Sequence, residues 1–122
     1  MRTLPTIAVV DDDQSIRESL PDLLRELGFQ AQAFSSAAEF LHSGPEEFQC
    51  MILDVAMPGM SGPELQKHLK ASGYRIPIIF ITARRDEVTT RRLVEDGAVG
   101  CLYKPFTCEA LQQALKVAFG NS

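Results

Sequence analysis

The sequence predicts an α/β fold: five parallel strands in one sheet, with helices packed on both faces. Three observations carry this. Short apolar runs alternate five times with segments whose apolar residues recur at helical spacing. Three helical segments end at a glycine, Gly28, Gly73 and Gly97, and glycine readily takes the left-handed conformation that closes a helix. One run, Gln30–Phe34, alternates polar and apolar residues while the others are apolar throughout, which marks it as an edge strand. With right-handed crossovers, that edge favours the strand order 2-1-3-4-5.

Each element has its own local reason. β1 is Thr6–Val10, without polar interruption. α1 follows, with Ile16, Leu20, Leu23, Leu24 and Leu27 on one face. Pro21 lies inside α1 and removes a hydrogen bond to the carbonyl of Arg17. A kink is expected there, not a break, because the apolar spacing continues past it. β2 is Gln30–Phe34. α2 is a short helix over Ser36–His42, with Ser36 and Glu39 spaced as a capping box. β3 is Cys50–Leu53 and ends at Asp54. α3 spans Ser61 to Ala71; Ser61 and Glu64 again have capping-box spacing, and Pro63 is tolerated in a first turn. β4 is Ile78–Ile81 and ends at Thr82. α4 runs from about Glu87 to Asp96, β5 is Gly100–Tyr103, and α5 runs from about Cys108 to Phe119. The whole is a flavodoxin-like doubly wound (βα)5 arrangement.

Length and composition set the frame. The 122 residues make a single domain, residues 1–122. Twelve basic and sixteen acidic side chains give 12 − 16 = −4. A mildly acidic domain is a poor nucleic-acid binder, because affinity for phosphate backbones comes mostly from Lys and Arg. With no helix-turn-helix in the chain, any DNA binding belongs elsewhere. No apolar stretch approaches the ~20 residues a membrane span requires, and the N-terminus lacks a signal-peptide pattern, so the expected location is the cytoplasm. Cys50, Cys101 and Cys108 are an odd number at no ligand-like spacing, and are read as reduced, mostly buried small residues.

Ligands of such sheets bind at the carboxyl ends of the strands, near the switch point between β1 and β3. Here that edge is chemically loaded. β1 ends in Asp11-Asp12-Asp13, β3 in Asp54, β4 in Thr82 and β5 in Lys104-Pro105. Asp13 is placed to cap α1. One cap does not explain three aspartates. Asp11, Asp12 and Asp54 would crowd together, and like charges so close resist joint ionisation unless a cation joins them. Mg²⁺, a hard ion that takes carboxylate, water and phosphate oxygens, resolves this. A carboxylate such as Asp54 can attack phosphorus and form an acyl phosphate. Thr82 offers a hydroxyl and Lys104 a charge to phosphoryl oxygens. Removing Asp11, Asp12, Asp13 and Asp54 from the count leaves 12 − 12 = 0, so the acidic surplus belongs to one pocket.

These residues resemble the receiver domain of two-component response regulators, over nearly the whole chain from Thr6 to about Phe119. The resemblance rests on Asp11-Asp12, on Asp54 followed by Met57-Pro58-Gly59-Met60-Ser61-Gly62, on Thr82-Ala83 and on Lys104-Pro105-Phe106, in this order and spacing. Together with Gly97-Ala98-Val99, the Met57–Gly62 segment resembles the FixJ class, which usually carries a LuxR-type helix-turn-helix output. The resemblance implies that Asp54 accepts phosphate from a sensor histidine kinase. It implies that Asp11 and Asp12 bind Mg²⁺, one directly and one through water, with the backbone carbonyl of Ala56 completing the site. It further implies that Thr82 and Lys104 contact the phosphoryl group, that the Lys104–Pro105 bond is cis, and that helix 4, strand 5 and helix 5 form a partner or homodimer face.

Three positions depart from the family pattern. Cys101 stands where the family usually has a Tyr or Phe that swings inward on activation. Tyr103 points to the same sheet face and is a candidate substitute. Ala56 and Arg84 occupy positions that flank the phosphoryl group. Pro21 is unusual within the first helix. A basic cluster, Arg84, Arg85, Arg91 and Arg92, reads first as a solvated face and second as a partner contact. Other functions fit less well. A haloacid-dehalogenase-like phosphatase would use Asp11 and Asp13 as its Asp-x-Asp signature, but it needs an acidic motif after the lysine, where only Glu109 follows, and leaves Asp54 unexplained. A flavin binder needs a Ser/Thr/Gly-rich phosphate loop after β1, where three aspartates would repel a phosphate. A protein-binding module of this fold that is never phosphorylated would have no use for Asp54, Thr82 and Lys104 together.

Overall fold

The computed structural model describes residues 4–120. Strands and helices alternate as the periodicity requires: β1 Thr6–Val10, α1 Gln14–Glu26, β2 Gln30–Phe34, α2 Ala37–Ser43, β3 Cys50–Asp54, α3 Gly62–Ala71, β4 Ile78–Thr82, α4 Glu87–Glu95, β5 Gly100–Tyr103 and α5 Cys108–Ala118. All five strands are parallel in the order β2-β1-β3-β4-β5. β3 and β4 are buried along their whole length, whereas β2 exposes Gln30 and Gln32 at the edge.

The sheet separates two apolar layers. On one face, Ala8, Val10, Met51, Leu53 and Phe80 pack with Phe40 of α2, Leu65 and Leu69 of α3 and Leu93 of α4. On the other, Ile7, Val9, Ile52, Ile79 and Ile81 pack with Leu20 and Leu24 of α1 and Leu111 and Leu115 of α5. Alternate strand residues therefore feed opposite layers, as a pleated strand dictates. Each fully buried aliphatic chain contributes about 1.5–3 kcal/mol, so these layers hold the strand tips rigidly in place.

The helix ends follow from sequence. Asp13 caps α1 by accepting from the Ser15 N–H. Ser61 and Glu64 form a complete capping box on α3. Gly28, Gly73 and Gly97 all have positive φ, at 99°, 86° and 110°. Three details differ from the sequence reading. The α2 capping box is split: Ser36 accepts from the Glu39 N–H, but the Glu39 carboxylate reaches one residue further back to the Ser35 N–H at 2.8 Å. α1, as expected, is not broken at Pro21, which sits on its buried face between Leu20 and Leu24. A 3₁₀ turn, Pro45–Glu47, precedes β3 and delivers Phe48 into a cluster with Phe34 and Phe40, at ring separations of 5.5–5.6 Å. Of the cysteines only Cys50 is buried; Cys101 is half-buried and Cys108, the first residue of α5, is exposed.

Candidate functional site

Parallel register creates the site. Val10 pairs with Leu53, so the next residues, Asp11 and Asp54, leave adjacent strands side by side. Thr82 pairs with Tyr103, which sets Lys104 just beyond Thr82. One carboxylate oxygen from each of Asp11, Asp12 and Asp54 lies within 4.8 Å of the others. Asp11 is fully buried and Asp54 is 6% exposed, while Asp12 faces solvent.

Asp11 is fixed from four directions. Its backbone N–H donates to Phe34 O at 3.1 Å. Its Oδ1 accepts from the Asp13 N–H at 2.9 Å, and its Oδ2 from Lys104 Nζ at 2.8 Å. Its carbonyl accepts from Arg17 Nη1 at 3.1 Å. Lys104 also lies 3.4 Å from Asp54 Oδ1, and its backbone N–H donates to Thr82 O at 2.8 Å. Two of the three carboxylates thus pair with one ammonium, and the pocket keeps a negative surplus. This crowding bears on Asp54. Burial, reinforced by the Asp11 charge and opposed by Lys104, pushes its pKa up to about 6. Burial works against the Lys104 charge, but Asp11 and Asp54 more than offset it and hold its pKa above the ordinary lysine value.

The loop after Asp54 is shaped by a glycine. The Val55 N–H donates to Ile81 O at 3.0 Å, and the Gly62 N–H donates to Val55 O at 2.9 Å, closing the segment around exposed Ala56. A Cβ on Gly62 would lie 2.3 Å from the Asp54 carbonyl oxygen and 3.0 Å from the Phe80 ring. Gly62 and Arg17 are the positioning residues that sequence reasoning gave no role. Gly62 carried a weak signal: a glycine in the first turn of a helix with a complete capping box has no local reason to be there.

The remaining sequence-predicted residues lie on the rim. Thr82 is buried at the tip of β4. Its hydroxyl accepts from the Arg84 N–H at 3.1 Å and lies 3.4 Å from the Arg84 carbonyl. Cys101 and Tyr103 both face the α4 side, as their spacing requires. Burial raises the Cys101 thiol pKa. The Tyr103 hydroxyl is 3.0 Å from Thr90 Oγ1 of α4, and the Arg85 guanidinium stands 4.7 Å over its ring. Arg84, Arg85, Arg91 and Arg92 are all exposed. Lys104–Pro105 is a cis peptide bond. A separate cleft of about 690 Å³ opens at the amino ends of the strands, among Gln66, Lys70, Tyr74, Ile76 and Asp96, away from the carboxylates. Among the described residues, no helix is long and apolar enough to cross a membrane.

Comparison with known proteins meets the same residues. The family model described as response regulator receiver domain matches residues 7–116. Nodulation protein W of Bradyrhizobium diazoefficiens is 43% identical over 117 residues, covering 95% of this chain and 52% of that protein. The transcriptional regulatory protein FixJ of Azorhizobium caulinodans is 38% identical over 117 residues, covering 95% of this chain and 56% of that protein. The solved structure of the response regulator StyR superimposes with a TM-score of 0.88 at 46% identity, covering 97% of this chain and 60% of that one. The chain therefore spans about half the length of the curated relatives it matches. An acidic pocket of Asp11, Asp12 and Asp54 at the β1–β3 switch point, on a 2-1-3-4-5 sheet, together with a family match along most of the chain, places this protein in the receiver-domain family of two-component response regulators.

Proposed function

We propose that this domain is a phosphorylated signalling switch in which Asp54 accepts a phosphoryl group from the phosphohistidine of a sensor kinase. The observation that carries the reading is the convergence of three carboxylates at the strand tips, two of them paired with Lys104, with Asp54 buried yet 6% exposed to solvent. An Asp54 carboxylate oxygen attacks phosphorus, the P–N bond breaks, and the bonding pair stays on the kinase's imidazole, which already carries a proton on its other ring nitrogen and leaves neutral, giving an acyl phosphate. Lys104 turns its charge to a phosphoryl oxygen, and Thr82 donates its hydroxyl to another.

The pocket suits Mg²⁺. It offers hard oxygen donors within 4.8 Å, in the crowded negative arrangement that a small divalent ion neutralises. Asp11, Asp12, Asp54 and the Ala56 carbonyl would hold it, and when bound it would offset charge on the phosphoryl oxygens. Phosphorylation then alters the surface of α4, β5 and α5. There Val88 is 71% exposed beside Arg91 and Arg92, a face suited to a partner or a second copy of this chain. The relatives are about twice as long, which supports an output module outside these residues, of the helix-turn-helix kind, controlling transcription.

The test is intact-mass measurement after incubation with Mg²⁺ and a small acyl phosphate. A phosphoryl adduct is expected in the native protein and none in Asp54→Asn. Absence of an adduct with any donor, or its persistence in Asp54→Asn, overturns the reading.

A further inference from the structure

We infer that Arg85, Tyr103 and Thr90 form a latch that ties α4 to β5 in the resting domain, and that the Thr82 hydroxyl holds this latch closed. The inference rests on the phosphoacceptor reading and adds residues to it. It starts from the Thr82 hydroxyl, which has one proton to donate. In this structure both of its neighbours are backbone groups of Arg84: it accepts from the Arg84 N–H at 3.1 Å and points its own proton at the Arg84 carbonyl at 3.4 Å. A phosphoryl oxygen on Asp54 is an acceptor, so the hydroxyl can donate to it only by giving up Arg84 O. The exchange favours the phosphoryl group, since a charged acceptor binds more strongly than a long contact to a neutral carbonyl.

The next residue transmits the change. Arg85 stands 4.7 Å over the Tyr103 ring, within cation–π range. The Tyr103 hydroxyl is 3.0 Å from Thr90 Oγ1, in the first turns of α4. One tyrosine therefore joins the loop after β4, the strand β5 and the helix α4. α4 is held at its carboxyl end by Leu93, its one buried residue, and by Gln66 and Lys70 of α3, which donate to the Leu93 and Asp96 carbonyls, so the tyrosine ties the opposite, amino-terminal half. Cys101, two residues before Tyr103 and on the same sheet face, has no ring with which to make such a tie. When Thr82 gives up the Arg84 carbonyl and turns toward Asp54, it draws the Arg84 N–H it still accepts from, the 84–86 segment moves, Arg85 leaves the ring, and Tyr103 and Thr90 part. α4 is then released to change its exposed face.

The chain has two tyrosines and no tryptophan, so the latch can be read directly. The experiment uses protein carrying ¹³C-labelled tyrosine rings, with Tyr74→Phe assigning the Tyr103 signal. Beryllium fluoride with Mg²⁺ serves as the phosphoryl mimic, and the acyl-phosphate adduct is weighed in parallel. The Tyr103 ring signal is expected to shift on activation. Without any mimic, Arg85→Gln and Thr90→Val are each expected to shift the resting signal toward that activated position. Arg85→Gln is expected to form the adduct to the same extent as the native protein. If the adduct forms and the Tyr103 signal stays in place, or if both variants rest at the native position, the latch is overturned. If no adduct forms, the phosphoacceptor reading fails and the latch falls with it.

Discussion

Asp54 and Gly62 act as a pair, although only the aspartate carries chemistry. The first turn of α3 packs directly on the Asp54 carbonyl, at a distance that leaves no room for a side chain. Gly62→Ala is therefore expected to lower stability by about 1–3 kcal/mol, the ordinary cost of overpacking, and to displace the Asp54 loop. Denaturant unfolding measures the first effect, and the rate of adduct formation measures the second. Native stability together with a native rate would show that the loop absorbs the methyl group. Arg17 belongs at this scale too. Its guanidinium holds the Asp11 carbonyl, so Arg17→Ala is expected to loosen the acidic loop and weaken Mg²⁺ binding, with Arg17→Lys restoring part of the affinity. Calorimetric titration with Mg²⁺ distinguishes these outcomes.

Helix ends dominate at the scale of the element. Asp86 caps α4 through the N–H groups of Val88 and Thr89, and its other oxygen accepts from the Thr89 hydroxyl at 2.8 Å. The Thr89 hydroxyl bond, helped by the backbone bonds, lowers the Asp86 pKa below its usual value of 3.8. A carboxylate with a depressed pKa in the folded state stabilises the fold above its unfolded value and loses that contribution as pH falls through the folded one. Asn can cap but cannot titrate. The native protein is thus expected to exceed Asp86→Asn in melting temperature at neutral pH, and the gap to close below about pH 3.8. A gap that stays constant down to acid pH would remove the charge from the explanation. Much at this scale was legible in the chain: Ser61, Glu64, Asp13 and the closing glycines do locally what their residue types do anywhere. The 3₁₀ turn at Pro45–Glu47 was not legible, because three residues carry no periodicity, and its purpose, placing Phe48 against Phe34 and Phe40, is a long-range contact.

For the whole molecule, the acidic pocket is a cost that binding relieves. Anything that binds the folded state alone stabilises it, by about 2.7 kcal/mol at a hundredfold excess over Kd. Mg²⁺ is expected to raise the melting temperature of the native domain. Asp12→Asn removes the solvent-facing carboxylate. It is expected to leave the metal-free domain as stable or slightly more so, and to shrink the Mg²⁺ increment. An equal increment in both proteins would place the ion elsewhere. The same scale governs the proposed partner face, where α4 contributes a single buried leucine to the core and presents Val88 and its arginines outward.

The sequence by itself determined the five βα units, the edge position of β2, the sheet order and the identities of Asp11, Asp12, Asp54, Thr82 and Lys104 as the strand-tip residues. These follow from local period and from the rule that parallel sheets expose function at their carboxyl edge, both of which a single chain displays. Only the tertiary structure decided what touches what. That Lys104 bridges Asp11 and Asp54, that Gly62 must lack a side chain, that Arg17 grips Asp11, and that Arg85 and Thr90 enclose Tyr103 all depend on distances in space that no local period specifies, even where the partners are only six or eight positions apart. Those distances are set by strand register and by how the two apolar layers seat their helices, and neither is written in any local stretch of sequence.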